Sequence, residues 1–328
     1  MLEVLLEQAR RVQASDLHLC AGEVPLVRVQ GCLQSLSEER LAAKVLEEVL
    51  TLLPQEQLVE LKQLGEVDWA WSCCQGRRYR MNVYRQQGKC AVAIRLLAEQ
   101  IPSCEELGLP TGLCQMAALD KGLVIVAGPT GSGKSTTLAA LVQRINETRA
   151  VHVISLEDPI EYHFTNKLAM IHQRQVGRDT EDFASGLRSA LRQDPDVIMV
   201  GEMRDGEAMS IALTAAETGH LVLATLHTGD VVSSINRIID ALPDRQQQVR
   251  SQLAECLQGV VCQRLLPRRD GKGRVAAFEL LQATDAVRAL IREGNSYQLP
   301  SFIQTGSRIG MVTMESSIAQ LRKCGLID

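Results

Sequence analysis

The spacing of apolar residues changes character about a third of the way along the chain. Residues 2–12 place apolar side chains at helical intervals, whereas Leu17-His18-Leu19 and Val27-Arg28-Val29 alternate as strands do, with Gly22 and Gly31 at turns. Residues 41–64 return to a helical period that Pro54 must break. The runs 79–84 and 91–96 alternate again, predicting two paired strands joined across Gln86-Gln87-Gly88. From about Gly112 the rhythm shifts to short β-rich apolar runs, 123–127, 151–156, 197–200 and 221–225, separated by longer helical stretches. That alternation predicts a mostly parallel sheet covered by helices. The last part, from about Asp244, reads as mainly helical with a short hairpin around Asp270-Gly271-Lys272-Gly273. The expected division is a small α/β domain over 1–100, a linker over 101–111 carrying Pro102, Gly108 and Pro110, and a second α/β domain over 112–328, helical from about 244.

One segment turns this outline into chemistry. Gly128-Pro129-Thr130-Gly131-Ser132-Gly133-Lys134-Ser135 is a complete G-x-x-x-x-G-K-[ST] motif that follows an apolar run and opens a helix. Such glycines let backbone N–H groups turn toward phosphates, and the helix N-terminus adds a positive dipole. Lys134 is expected to reach the β- and γ-phosphates, and Ser135 to ligate Mg²⁺. Two acidic clusters, Glu157-Asp158-Pro159-Ile160-Glu161 and Gly201-Glu202 with Arg204-Asp205, stand just after two other apolar runs. Ligands of open α/β sheets sit beyond the carboxyl ends of the strands, where these carboxylates could hold a metal's water shell and polarise water. His220 and His227 bracket the run 221–225, which places them at opposite ends of one strand and argues against a shared metal. His227, at the carboxyl end, suits a γ-phosphate sensor or an intersubunit contact; His220 reads equally as a hydrogen-bonded structural residue. Arg80, Arg85 and Arg95 lie in strands of the first domain, either as exposed strand residues or as arginines that reach the phosphates of a neighbouring subunit.

Composition narrows the partners. The 328 residues are 45% hydrophobic and 23% charged, as in ordinary globular proteins, with only 3% aromatic and a formal net charge of −4. There is thus no general attraction to nucleic acid or anionic lipid. The ten cysteines show no C-x-x-C spacing, and Cys73-Cys74 is a vicinal pair, so reduced cysteines acting as small hydrophobes are expected rather than disulfides or zinc. The N-terminus lacks a signal-peptide pattern and no apolar run is long enough for a membrane helix, so a cytoplasmic protein is expected.

With these pieces placed, nearly the whole chain resembles the type II/IV secretion and pilus-motor ATPase family. Ser15-Asp16-Leu17-His18-Leu19 and Pro25, Arg28 and Gly31 look like its entry motifs. Gly128 through Thr136 matches its Walker A motif and 154–161 its aspartate box. Asp194-Pro195-Asp196 through Gly201-Glu202-Met203-Arg204-Asp205 matches its Walker B region, and 218–228 its histidine box. The resemblance implies a RecA-like P-loop ATPase domain, a smaller PAS-like α/β domain and a helical C-terminal part. It implies Glu161 as general base, Glu202 as Walker B acid, and Glu157 and Asp158 as supports of a Mg²⁺ site. His227 would then communicate between nucleotide and neighbour, while Arg80, Arg85 and Arg95 supply charge to ATP. It further implies a homohexameric ring at the inner face of the bacterial cytoplasmic membrane, working on an inner-membrane platform protein. The two domains would move about the linker.

Three features resemble the pilus-retraction branch: a short N-terminal region, no tetracysteine zinc insert between Gln263 and Val275, and the segment 286–293. In that segment Ala286, Ala289, Leu290 and Glu293 are expected to form one stripe, with Arg288 and Arg292 on another face as coupling residues. An assembly or secretion motor is the nearest alternative. A hexameric nucleic-acid motor is a different class, disfavoured by few aromatics and negative charge. A GTPase switch is weaker still, since Asn166-Lys167-Leu168-Ala169 lacks the aspartate of a guanine-reading motif.

Overall fold

The computed structural model describes all residues except 30, 74, 75, 98, 99 and 272, so Cys74 of the vicinal pair and Lys272 of the expected hairpin lie outside the described residues. The chain divides into Met1–Gln100 and Ile101–Asp328.

In the first unit the helical periods become α1 (Leu2–Arg11), α2 (Ala43–Leu52) and α3 (Gln55–Leu64), with Pro54 as the N-cap residue of α3. The strands are β1 (Asp16–Cys20), β2 (Leu26–Val29), β3 (Cys32–Ser35), β4 (Glu66–Ser72), β5 (Arg78–Gln86) and β6 (Lys89–Leu96). They form one antiparallel sheet in the order β3-β2-β1-β6-β5-β4. Gln87 and Gly88, at φ 48° and 75°, make the two-residue turn that joins β5 to β6, the left-handed pair such hairpins require. Leu2, Leu5, Leu6 and Ala9 of α1 meet Leu17, Leu19, Met81 and Ile94 in the core of this unit.

In the second unit the segment read as a linker is part of the packed body. Cys104 and Leu109 are buried with α4 (Thr111–Met116), and the Cys104 thiol points at Ala140 O, 3.7 Å away. Two prolines mark a turn here, but the apolar residues between them find a core to join.

The second sheet contains β7 (Gly122–Ala127), β8 (His152–Glu157), β9 (Met170–Gln175), β10 (Val197–Val200), β11 (Leu221–Leu226), β12 (Leu257–Pro267) and β13 (Arg274–Gln282) in the order β13-β12-β7-β11-β10-β8-β9. All neighbours run parallel except β12 with β13. Every residue of β7, β10 and β11 is buried, which is why these strands read as unbroken apolar runs. The helices α5 (Lys134–Thr148), α6 (Phe183–Ala190), α7 (Gly206–Glu217), α8 (Val231–Asp240), α9 (Gln246–Cys256), α10 (Asp285–Glu293), α11 (Leu299–Thr305) and α12 (Met314–Lys323) complete a RecA-like unit with a helical C-terminal region. Asp182, Asp205 and Asp230 cap α6, α7 and α8 by accepting from backbone N–H groups in the first turn, about 1 kcal/mol each.

The C-terminal region holds more strand than its composition suggests: β12 and β13 pair from Gly259↔Gln282 to Pro267↔Arg274. The face of α10 also differs from the expected stripe. Val287, Leu290 and Ile291 are buried, whereas Ala286 and Glu293 are exposed. Arg288 donates from Nη1 to Ala254 O and Glu255 O at 2.7 and 2.6 Å, closing the C-terminal end of α9, while Arg292 is exposed. The long Arg288 stem lets a charged residue lie against the helix pair, and a polar letter in the sequence conceals that. Arg288→Ala is therefore expected to destabilise the protein by about 1–3 kcal/mol, with Arg292→Ala within about 0.5 kcal/mol. Paired urea titrations check this difference.

Candidate nucleotide-hydrolysing site

The order β7-β11-β10-β8 sets the carboxyl ends of four parallel strands side by side. The loop 128–133 leaves β7, His227 follows β11, Gly201 and Glu202 follow β10, and Glu157 ends β8 with Asp158 next. A cleft of about 440 Å³ opens there, lined by Thr130, Lys134, Ser135, Thr136, Asp158, Glu161, Glu202 and His227 among others. Motifs up to 97 residues apart thus face one volume.

The loop is built as a phosphate cradle. Gly128, Gly131 and Gly133 have φ of 151°, 76° and 89°, conformations that cost glycine little. At Gly128 space is limiting as well: an added Cβ would lie 2.5 Å from Ser132 Oγ and 2.6 Å from Gln263 O. Ser132 is buried beneath the turn, while Pro129 and Thr130 are exposed on its rim. Lys134, 8% exposed, donates to Gly128 O at 2.9 Å and Pro129 O at 3.1 Å, so its ammonium is held across the mouth of the loop. Burial lowers its pKa, and the nearby Glu202 and Glu161 oppose that shift. A cationic centre framed by glycine N–H groups at a helix N-terminus fits a triphosphate.

The acids differ in setting. Glu157 is buried and its carboxyl is pushed up by desolvation, against the pull of hydrogen bonds from Ser155 Oγ at 2.6 Å and Gln173 Nε2 at 3.0 Å. Arg204 spans Asp158 (3.2 Å) and Glu202 (2.7 Å), which balances two carboxylates in one cleft. His227 joins the rim to the acid: Nδ1 lies 3.4 Å from Thr130 Oγ1 and Nε2 3.3 Å from Glu202 Oε1. Glu161 is exposed on the cleft wall. Among the described residues no three His, Cys, Asp or Glu side chains converge as a metal cage. Ser135, Glu157, Asp158 and Glu202 line the same cleft, a donor set that would suit Mg²⁺ carried on phosphates better than a protein-only cage.

Several supports were not visible in the sequence. Gln263 of β12, buried, accepts from Thr137 Oγ1 at 2.7 Å and donates to Ser132 O, stapling the loop to α5. Tyr162 OH meets Thr136 Oγ1 at 2.9 Å. Asp205, grouped with the acids above, caps α7. His220 is held to Ala215 O at 2.9 Å, and Asn166 accepts from Ile171 N, closing a turn. In the first unit Arg80 of β5 lies 3.8 Å from Asp68, and Arg95 of β6 pairs with Asp16 at 3.0 Å; Arg85 is on β5.

Fold and site together define a P-loop nucleoside triphosphatase. A family model described as type II/IV secretion system protein matches residues 1–293, and the chain belongs to that family. It is 41% identical to the type IV pilus retraction ATPase PilT of Pseudomonas aeruginosa, across 99% of this chain and 94% of the relative. It is 43% identical to an uncharacterized protein, YggR, of Escherichia coli across 96% of both. A crystal structure of the pilus retraction motor PilT with bound ADP superposes with a TM-score of 0.91 at 44% identity, covering 100% of this chain and 94% of the other. The protein is accordingly an ATP hydrolase that works with Mg²⁺. Among the described residues no helix is long and apolar enough to cross a membrane.

Proposed function

We propose that the protein is a homohexameric motor that hydrolyses Mg²⁺-ATP to retract a type IV pilus. It works at the inner face of the cytoplasmic membrane against an inner-membrane platform protein. The observation that carries the reading is the single cleft shared by Lys134, Glu161, Glu202 and His227, in a chain that aligns nearly end to end with a retraction ATPase. Secretion ATPases are more distant, at 35% and 33% identity for two from Pseudomonas aeruginosa.

In this reading the N–H groups of Gly131 and Gly133 and the Lys134 ammonium bind the triphosphate. Mg²⁺, when bound, neutralises charge on the transferring phosphoryl group. Ser135 contributes its hydroxyl to that ion. Glu161 takes the proton from the attacking water. Glu202, fixed by Arg204 and His227, orders the water shell, and the contact of His227 with Thr130 links the phosphate end of the cleft to the acid. Arg80, Arg85 and Arg95 supply positive charge from the first unit of a subunit in the ring, which closes through a heterologous interface.

Deleting the gene tests the direction of force. The expected outcome is cells that keep surface pili and lose twitching; cells without pili would assign the protein to assembly instead.

A further inference from the structure

Gln173 lies on the edge strand β9, outside every motif of the sequence. Its side-chain amide nevertheless commits all its hydrogen-bonding capacity to the segment that carries Glu161. Nε2 donates to Glu157 Oε1 at 3.0 Å and to Tyr162 O at 2.7 Å. Oε1 accepts from Phe164 N at 3.1 Å and from His163 Nδ1 at 3.3 Å. A primary amide has two N–H donors and two acceptor lone pairs, so these four contacts use it fully.

The segment held in this way has no repeating structure of its own. Residues 158–169 lie outside helices and strands, so a few side-chain bonds must fix where Glu161 sits. Gln173 grips the segment at Glu157 before it and at Tyr162, His163 and Phe164 after it. The Tyr162 hydroxyl then meets Thr136 Oγ1 at 2.9 Å, in the first turn of α5 beside Lys134 and Ser135. The amide and the Tyr162 hydroxyl together tie the base-bearing segment to the phosphate-binding turn.

We propose that Gln173 is a positioning residue for hydrolysis: it holds the 157–164 segment so that Glu161 faces the water that attacks the γ-phosphate. This rests on the reading of Glu161 as general base. Gln173 reaches the Mg²⁺ site only through Glu157, and none of its hydrogen-bond partners lies in the phosphate loop, so its loss is expected to act on turnover far more than on ATP binding. Misplacing a reacting group by about 1 Å can cost about 10²-fold in rate.

The test uses the full-length protein with Gln173→Met, which keeps the shape and removes all four bonds. Gln173→Glu is measured beside it, keeping the acceptor oxygen and losing both donations. In each variant kcat is expected to fall at least about tenfold while KM for ATP stays within about threefold. Amide exchange at Phe164 is expected to accelerate, with that of the phosphate loop unchanged. If Gln173→Met does not fold, Gln173→Glu decides by the same split. Turnover within about twofold of wild type, or a raised KM with unchanged kcat, overturns the proposal. Glu161→Gln separates the two ideas. If that variant keeps its turnover, the base assignment fails. If it loses turnover while both Gln173 variants keep theirs, the role of Gln173 alone is wrong.

Discussion

Glu161→Gln is expected to bind ATP nearly as tightly as the wild type and to lose turnover by about 10²–10⁴-fold, the usual contribution of a general base. The side chain stands on the exposed wall of the cleft, so the amide fits without repacking. Lys134, the loop glycines and Ser135 keep their places, which preserves the groups that hold phosphates. What is lost is the proton acceptor. Rapid-quench measurement of bound ATP against released phosphate checks this. A variant that keeps more than about a tenth of wild-type turnover would move the role to another carboxylate, because that loss is far below the general-base range.

Lys134→Ala has the opposite signature. The ammonium is the cation in the mouth of the loop, held by Gly128 O and Pro129 O. A hydrogen bond from a charged group contributes about 1.5–3 kcal/mol, so losing the one this ammonium would give to a bound phosphate should weaken ATP binding by about tenfold to a hundredfold or more. Turnover should fall below detection, because the same charge also stabilises the transferring phosphoryl group. Gly128 O and Pro129 O lose their donor, so the fold is expected to survive with a lowered melting temperature. Titration with a fluorescent ATP analogue, run beside phosphate release, distinguishes this variant from Glu161→Gln.

The phosphate loop, both acidic clusters and His227 were legible because each comes directly after a largely or fully buried strand. Runs rich in Val, Ile and Leu announce such strands, and the residues just beyond each run fall at the carboxyl end of its strand. Strand order was not legible, yet it is the order β7-β11-β10-β8 that brings these ends together. Gln173, Gln263 and Tyr162 were missed for a common reason. Each is a single neutral side chain whose partners lie elsewhere in the chain, 126 positions away for Gln263 and Thr137, and no spacing rule marks such a residue. Strand β3 has all four residues exposed and so carries no alternation to read. Arg288 misled for the converse reason: its charge suggested a free face, whereas the guanidinium caps α9. The prolines of 101–110 suggested a linker, but Cys104 and Leu109 carry that segment into the core.

Whether this cleft hydrolyses Mg²⁺-ATP in a ring whose subunits depend on one another is tested most directly by mixing wild-type protein with Glu161→Gln subunits. Those subunits still bind ATP and still assemble, and the steady rate of phosphate release is the readout. The expected result is a fall steeper than the fraction of wild-type subunits, because each inactive member also slows its neighbours. A decline strictly proportional to that fraction would contradict the interdependent ring.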